Sequence, residues 1–202
     1  YLTVHPSGKF LYSVNRGKAD ATDNGGSVSA YGIDPKTGKL NGLNHRPSYG
    51  DGPCYISIDK TGQYAFISNY NRGNLVVLPI FDDGLIGNPS DAKKYVGSSI
   101  DEKRQESPHI HSAVVSPDNR FLYVSDLGTD KIYIYDFNVE NGRLTSANTS
   151  EVAVNPGSGP RHFTFHPNGK FAYLAEELSS SVCAFSVDKA TGELTILEDT
   201  IK

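Results

Sequence analysis

Two short segments of this chain carry basic side chains immediately before a strand-like run of residues. One reads GPRH and contains Arg161 and His162, and the other reads HIHS and contains His109 and His111. A carboxylate, Glu177, ends the strand-like run that follows Arg161. Attack by water on a carbonyl group needs such groups, namely a base for the attacking water and donors that stabilise an oxyanion or hold an anionic substrate.

The chemistry of each group suggests a role. His111 is predicted to act as the acid or base, because an imidazole titrates near neutral pH. Glu177 is its predicted carboxylate partner, either orienting a histidine or serving as the base itself. Arg161 is predicted to clamp a phosphate or carboxylate, since its planar guanidinium can donate two parallel hydrogen bonds. His162 and His109 complete the predicted substrate-binding set.

The same residues also have structural interpretations. Arg161 could tie two neighbouring sheets together, and Glu177 could be one of two solvated acids at a strand end. His109 and His111 are two residues apart, so they would face one side of an extended strand. No third ligand follows at a spacing typical of a metal site, and we predict no bound metal.

Signatures of other catalytic mechanisms are absent from the sequence. No GxSxG segment surrounds Ser112, which favours direct attack by water over a serine nucleophile. Neither a P-loop nor a dinucleotide-binding glycine motif is present.

A repeated phrase supplies the elements that must position these residues. It reads VHPSGKFLYSVN, IDKTGQYAFISN, VSPDNRFLYVSD and FHPNGKFAYLAE, and its copies start 54, 57 and 50 residues apart. Proline, glycine and asparagine are typical of a tight turn. The aromatic and β-branched residues that follow them are typical of a buried strand. His5 and His166 recur with this turn and are predicted to be structural, whereas His45 has no predicted task.

A period near 50 residues with several strands in each unit predicts a β-propeller. We expect an all-β chain of four-stranded antiparallel blades, with units at about 1–50, 51–107, 108–157 and 158–202. The polar segment 89–107 is predicted to be a long loop between blades, with at most a helical turn. Because the first and last units lack parts of the repeat, we expect the chain to belong to a longer propeller.

In such a fold the lead-ins to the inner strands converge at the mouth of the central channel. Arg161 and His162 occupy the place in their unit that His111 occupies in another and Tyr55 in a third. Residues far apart in sequence would therefore meet there. The two cysteines, Cys54 and Cys183, lie in apolar stretches and are predicted to be buried thiols.

The segments SPHIHSAVVSPDNRFLYVSDLGTDKIYIYDF and GSGPRHFTFHPNGKFAYLAEELSSSV resemble the propeller-type 6-phosphogluconolactonases, relatives of the fungal carboxy-muconate cyclases. This resemblance implies seven blades, about four of them present here, and cofactor-free hydrolysis of 6-phospho-D-glucono-1,5-lactone. Two positions depart from the family pattern. Glu176 precedes Glu177 where the family often has Asn, and Arg16 follows Asn15 where Glu is common.

Composition limits the possible partners. With 19 basic and 23 acidic residues, the formal net charge is −4, which argues against nucleic-acid binding. No apolar run reaches the roughly 20 residues of a membrane helix, so we expect no membrane partner. The expected partner is a small phosphorylated or carboxylated lactone. The expected location is the cytoplasm, with a cleaved signal peptide as the alternative.

Two other functions are compatible with the sequence. A muconate-type lactonising cyclase would use the same anion clamp and acid–base groups on a dicarboxylate. A non-catalytic propeller would use the ring as a rigid platform for a protein or a sugar.

Overall fold

The computed structural model describes residues 1–17 and 25–201, and within them the chain forms strands and no helix. Positions 18–24 of the first predicted unit and residue 202 of the last therefore lie outside the described residues. The strands are β1 (Leu2–Val4), β2 (Phe10–Arg16), β3 (Gly26–Ile33), β4 (Leu40–Pro47), β5 (Pro53–Ile58), β6 (Tyr64–Asn69), β7 (Asn74–Pro79), β8 (Asp91–Lys94), β9 (Ile110–Val115), β10 (Phe121–Asp126), β11 (Lys131–Asn138), β12 (Arg143–Ala153), β13 (Pro160–Phe165), β14 (Phe171–Glu176), β15 (Ser181–Val187) and β16 (Leu194–Ile201).

These strands form four antiparallel sheets of four strands each, and every sheet follows the order of the chain. The predicted blade architecture is thereby confirmed. The repeated turn lies between the first two strands of each sheet, where Gly8, Gly62, Asn119 and Gly169 have φ angles of 71°, 83°, 66° and 65°. These left-handed conformations explain why glycine or asparagine occupies the position in every copy.

His5 and His166 belong to this turn, as predicted. The backbone N–H of Ser7 donates to Nδ1 of His5, and the N–H of Asn168 donates to Nδ1 of His166. Nε2 of His5 also lies 3.0 Å from the carbonyl oxygen of Gly62 in the next sheet. The histidines thus stabilise the turns at the end of the sheets that is opposite to Arg161 and His111.

The predicted loop 89–107 contains a strand that the sequence did not reveal. Asp91–Lys94 is β8, the outer strand of the second sheet, and pairs with β7. The prediction of an entirely irregular segment was wrong because this short strand lies at a sheet edge, where alternate residues face solvent and the sequence is polar. No regular strand or helix follows between residues 96 and 107.

Each interface between neighbouring sheets is filled by one apolar cluster. Tyr12, Val28 and Ala30 of the first sheet pack with Ile56 and Ile67 of the second. Comparable clusters join the second sheet to the third and the third to the fourth. Cys183 lies buried in the last of these clusters, whereas Cys54 is only partly buried and lies in β5. Burial of both sheet faces fixes the first strands β5, β9 and β13 side by side.

An aromatic contact with a glycine recurs across these interfaces. The Tyr12 hydroxyl donates to the carbonyl oxygen of Gly84 at 2.9 Å, and the Tyr123 hydroxyl donates to that of Gly192 at 2.7 Å. At Gly192 a Cβ atom would lie 2.6 Å from the buried ring of Phe121. Each glycine therefore allows both a left-handed turn and close packing against the preceding sheet.

We predict that Gly192→Ala lowers the free energy of unfolding by about 2–4 kcal/mol, because it combines a strained φ with a clash against Phe121. Gly169→Ala is the matched control, since its φ of 65° is similar but the added Cβ is close only to the flexible end of Lys189 and touches Pro117 at an ordinary 3.7 Å. We expect the control to cost about 1–2 kcal/mol. Chemical denaturation of both variants measures the difference, and equal losses would contradict the proposed interface contact.

Candidate active site

A bulge at the start of three of the four inner strands places three side chains in equivalent positions. In β5, β9 and β13 the pairing with the second strand shifts by one residue after Pro53, Ile110 and Pro160. The extra residues are Cys54, His111 and Arg161. Since a bulge redirects the side chain at which it occurs, the three neighbouring sheets present a thiol, an imidazole and a guanidinium at the same level. The sequence predicted this convergence for His111 and Arg161.

Glu177 connects the charged groups of this region. Its Oε2 atom accepts a hydrogen bond from Nε of Arg161 at 2.8 Å, and its Oε1 atom accepts one from Nη2 of Arg104 at 2.5 Å. Nε2 of His111 lies 3.6 Å from Oε2 of Glu177, which is close enough for a charge interaction but too long for a strong hydrogen bond. The structure thus brings together Glu177, Arg161 and His111, as predicted.

Arg104 and Tyr70 are the residues that sequence reasoning missed. Arg104 belongs to the irregular segment after β8, where no strand pattern marks a position in the fold, and it reaches Glu177 across 73 residues of sequence. Tyr70 directly follows β6, in the position that Glu177 has after β14. Nη2 of Arg104 also lies 3.4 Å from the Tyr70 hydroxyl oxygen. The equivalence of Tyr70 and Glu177 was readable from the repeat.

Aromatic rings line the other side of the cluster. The rings of His162 and His111 meet edge to face with centroids 5.4 Å apart, and Tyr55 lies 5.6 Å from His162. Nη1 of Arg161 lies 3.4 Å from Nε2 of His162. His162 is therefore adjacent to both predicted functional groups, in agreement with its assignment to the same site.

His109 is in a different situation from the other predicted residues. Its ring stacks on Tyr70 with a centroid distance of 4.3 Å, and its Nδ1 atom lies 3.0 Å from the carbonyl oxygen of Tyr70. Its Nε2 atom lies 3.2 Å from a carboxylate oxygen of Glu106. Because both ring nitrogens already face protein oxygen atoms, the geometry favours a supporting role for His109 and opposes its assignment to substrate binding.

The His111 imidazole is neutral at physiological pH. Its side chain is only about one-tenth exposed, and burial lowers the pKa of His111 to about 4. The positive charge of Arg161 lowers this pKa further, whereas Glu177 raises it. Nε2 is the nitrogen that faces Glu177, whereas Nδ1 is enclosed by protein. A neutral imidazole with this orientation can accept a proton.

Glu177 has the opposite character. Burial raises the pKa of its carboxyl group, but hydrogen bonds from Arg104 and Arg161 outweigh this effect and hold the pKa below the usual value. The group is therefore an ionised carboxylate at neutral pH, and both of its oxygen atoms already accept hydrogen bonds from guanidinium groups. Burial, assisted by Arg161, also lowers the pKa of His162. With two guanidinium groups, one carboxylate and two neutral imidazoles, the cluster has a surplus positive charge.

Cys54 does not fit the requirements of a nucleophile. Burial raises the pKa of its thiol to about 12, although the positive charges of Arg16 and Arg161 oppose this effect. The thiol is therefore protonated at neutral pH, and the thiolate is the reactive form. Among the described residues, no group of three His, Cys, Asp or Glu side chains has the geometry of a metal site.

Comparisons with known proteins place these features in context. A family model described as "Lactonase, 7-bladed beta-propeller" matches residues 1–201. The 6-phosphogluconolactonase of Bacillus subtilis is 36% identical over 193 residues, which are 96% of this chain and 52% of that protein. The 6-phosphogluconolactonase of Formosa agariphila is 35% identical over 200 residues, which are 98% of this chain and 55% of that protein. The chain thus spans about half the length of these curated relatives.

A solved structure has the same fold as this chain. The periplasmic gluconolactonase of Pseudomonas aeruginosa superposes with a TM-score of 0.89 at 34% identity, covering 100% of this chain and 57% of that one. The similarity thus extends over all four sheets and includes the segments that carry Arg161, His111 and Glu177.

We predict that replacing Arg161 by Gln raises the pKa of His111 above about 4. The substitution removes a positive charge that disfavours the imidazolium, and it releases Glu177 from one of its ion pairs. Titration of the His111 ring signals by NMR measures the midpoint in the wild type and the variant. A wild-type midpoint near 6.5, the value of an unperturbed histidine, would contradict the assigned electrostatics.

Proposed function

The chain belongs to the family of seven-bladed β-propeller lactonases, and from this membership we propose that its protein opens a lactone ring by adding water. The observation that carries the proposal is the cluster of His111, Glu177, Arg161 and Arg104 at the start of the inner strands. It contains a neutral imidazole beside an ionised carboxylate, and two guanidinium groups within reach of one anion.

The surplus positive charge favours an anionic substrate. Arg161 and Arg104 bind Glu177 from two directions, so an incoming phosphate or carboxylate can accept hydrogen bonds from the guanidinium N–H groups that Glu177 does not use. We propose 6-phospho-D-glucono-1,5-lactone as the substrate and 6-phosphogluconate as the product. The two relatives named 6-phosphogluconolactonase support this choice.

The proposed reaction is a direct hydrolysis. Nε2 of His111 removes a proton from a water molecule while the water oxygen forms a bond to the lactone carbonyl carbon. The carbonyl oxygen becomes an oxyanion, which His162 stabilises by donating a hydrogen bond. The tetrahedral intermediate then reforms the carbonyl group, the bond to the ring oxygen breaks, and His111 returns its proton to that oxygen.

Glu177 contributes through charge in this scheme. Its carboxylate is 3.6 Å from Nε2 of His111, so it stabilises the imidazolium that forms when the water loses its proton. The same carboxylate keeps Arg161 and Arg104 in place between turnovers. A cytoplasmic location remains a prediction, because one similar structure is that of a periplasmic enzyme.

We predict that His111→Gln lowers kcat for 6-phosphogluconolactone about 10²–10⁴-fold, which is the usual contribution of a general base. KM should change little, because the substituted amide side chain would fill the same position and the imidazole it replaces does not bind the phosphate. His45→Gln is the matched control, since His45 is exposed on β4 and distant from the cluster in the sheet order. Loss of the lactone is followed in the purified full-length protein and corrected for spontaneous hydrolysis.

Two outcomes of this assay would contradict the proposal. If the wild-type protein does not accelerate lactone loss, the hydrolase assignment fails and the platform alternative gains support. If it acts on a muconate-type dicarboxylate but not on the phosphorylated lactone, the cyclase alternative replaces the proposed substrate.

A second prediction separates phosphate binding from catalysis. Arg161→Gln and Arg104→Gln should each raise KM for the phosphorylated lactone by about 10- to 100-fold, because each removes a charge-assisted hydrogen bond worth about 1.5–3 kcal/mol. Gluconolactone without phosphate is the control substrate, and its KM should change by less than about threefold. Equal effects on both substrates would show that the arginines do not bind the phosphate group.

A further inference from the structure

Asp130 is a buried carboxylate outside the site just described. It lies in the turn between β10 and β11, is 2% exposed and has a left-handed φ of 54°. Gly25, Gly73 and Ser180 occupy the equivalent turn positions in the other sheets, also with positive φ. Because glycine adopts this conformation more readily than aspartate, the backbone does not explain the carboxylate.

The two oxygen atoms of Asp130 join two separate segments of chain. Oδ2 accepts hydrogen bonds from the hydroxyl of Ser99 at 2.5 Å and from the N–H of Gly157 at 2.7 Å. Oδ1 accepts a hydrogen bond from the N–H of Gly159 at 2.7 Å. Ser99 belongs to the irregular segment after β8, whereas Gly157 and Gly159 precede β13.

The segment before β13 leads directly to the ion-pair cluster. The carbonyl oxygen of Gly159 accepts a hydrogen bond from the N–H of Glu177 at 2.8 Å, and Arg161 follows two residues later. Gly157 and Gly159 both have positive φ, at 85° and 68°. Two such glycines allow many backbone conformations in the absence of an anchor, so the carboxylate of Asp130 selects one of them.

The segment containing Ser99 leads to Arg104. The N–H of Ser99 donates to the carbonyl oxygen of Gln105, and the Asp101 carboxylate accepts the N–H groups of Lys103 and Arg104. Gln105 is buried, and its side-chain amide donates to the carbonyl oxygen of Leu127 at 2.9 Å. Residues 99–105 are thus internally bonded, and fixing Ser99 fixes the origin of Arg104.

We propose that Asp130 is a positioning residue that aligns Arg104 and Arg161 on Glu177. It fixes the two segments that carry these groups to one buried carboxylate, although it contacts none of the three. This inference rests on the proposed function, in which both arginines bind the anionic group of the substrate. Replacement of Asp130 should therefore weaken substrate binding and leave the chemical step unchanged.

The test uses Asp130→Asn in the purified full-length protein. Asn retains the shape and tolerates the left-handed φ, but it offers one acceptor oxygen where three donors are present. We expect KM for 6-phosphogluconolactone to rise about 5- to 30-fold while kcat changes by less than about threefold. We also expect faster amide hydrogen exchange in residues 99–105 and 157–161.

Asp59→Asn is the matched control. Asp59 is a fully buried carboxylate that accepts hydrogen bonds from Thr61, Tyr64 and Asn119, but it follows β5 at the opposite end of the sheets. Its loss should lower stability without changing KM. A similar rise in KM for Asp59→Asn would overturn the positioning role, because the effect would then follow from general destabilisation.

A double-mutant cycle tests the path through the loop. Ser99→Ala should raise KM in the wild-type background but not in Arg104→Gln, since Ser99 acts only by holding Arg104. Additive effects would overturn this path.

If the wild-type protein hydrolyses no lactone, the proposed function fails and hydrogen exchange alone decides whether Asp130 positions the two segments. In that case, unchanged exchange in both segments of Asp130→Asn would overturn the inference.

Discussion

The site depends on one carboxylate shared by two guanidinium groups. Glu177 accepts hydrogen bonds from Arg161 and Arg104, which come from a neighbouring strand and from a distant loop. This arrangement keeps Glu177 ionised and occupies both of its oxygen atoms, so His111, 3.6 Å away, is better placed than Glu177 to take a proton. It also leaves more positive than negative charge in the cluster. In the proposed function, the charged carboxylate and the anion clamp both depend on this interaction, whereas burial keeps the His111 imidazole neutral.

The sheets provide the rigidity that this interaction requires. Apolar clusters fill all three interfaces between neighbouring sheets, and buried aromatic hydroxyls donate to glycine carbonyl groups across two of them. The bulges of β5, β9 and β13 then place Cys54, His111 and Arg161 at one level. Because these interfaces are close-packed, β5 and β9 cannot move without disturbing the sheets on both sides. Asp130 restrains two of the segments between strands that lead to charged groups of the site.

The repeat predicted both the blades and the meeting of Arg161, His111 and Glu177, because equivalent positions in a propeller lie at the same level. Local patterns could not reveal three other features. The strand β8 is polar because it is an edge strand. Arg104 reaches the cluster from a segment without periodicity. The nitrogen atoms of His109 face protein oxygen atoms that are distant in sequence or outside the repeat. Each of these depends on tertiary contacts, whereas the repeat reports only what the four units share.

The two departures from the family pattern have different consequences for the site. Glu176 has the position of Asn69 and Asp126 at the end of a second strand, and it is buried and accepts a hydrogen bond from Ser181 at 2.6 Å. This departure therefore affects the support of a turn. Arg16 instead has the position of Glu177, and its charge acts on Cys54 together with that of Arg161. The positive charge of Arg16 makes this end of the sheets more cationic than the Glu expected from the family pattern would. Under the proposed function, such a change would favour an anionic lactone over a neutral one, since each added cation strengthens the attraction for a phosphate more than for an uncharged sugar.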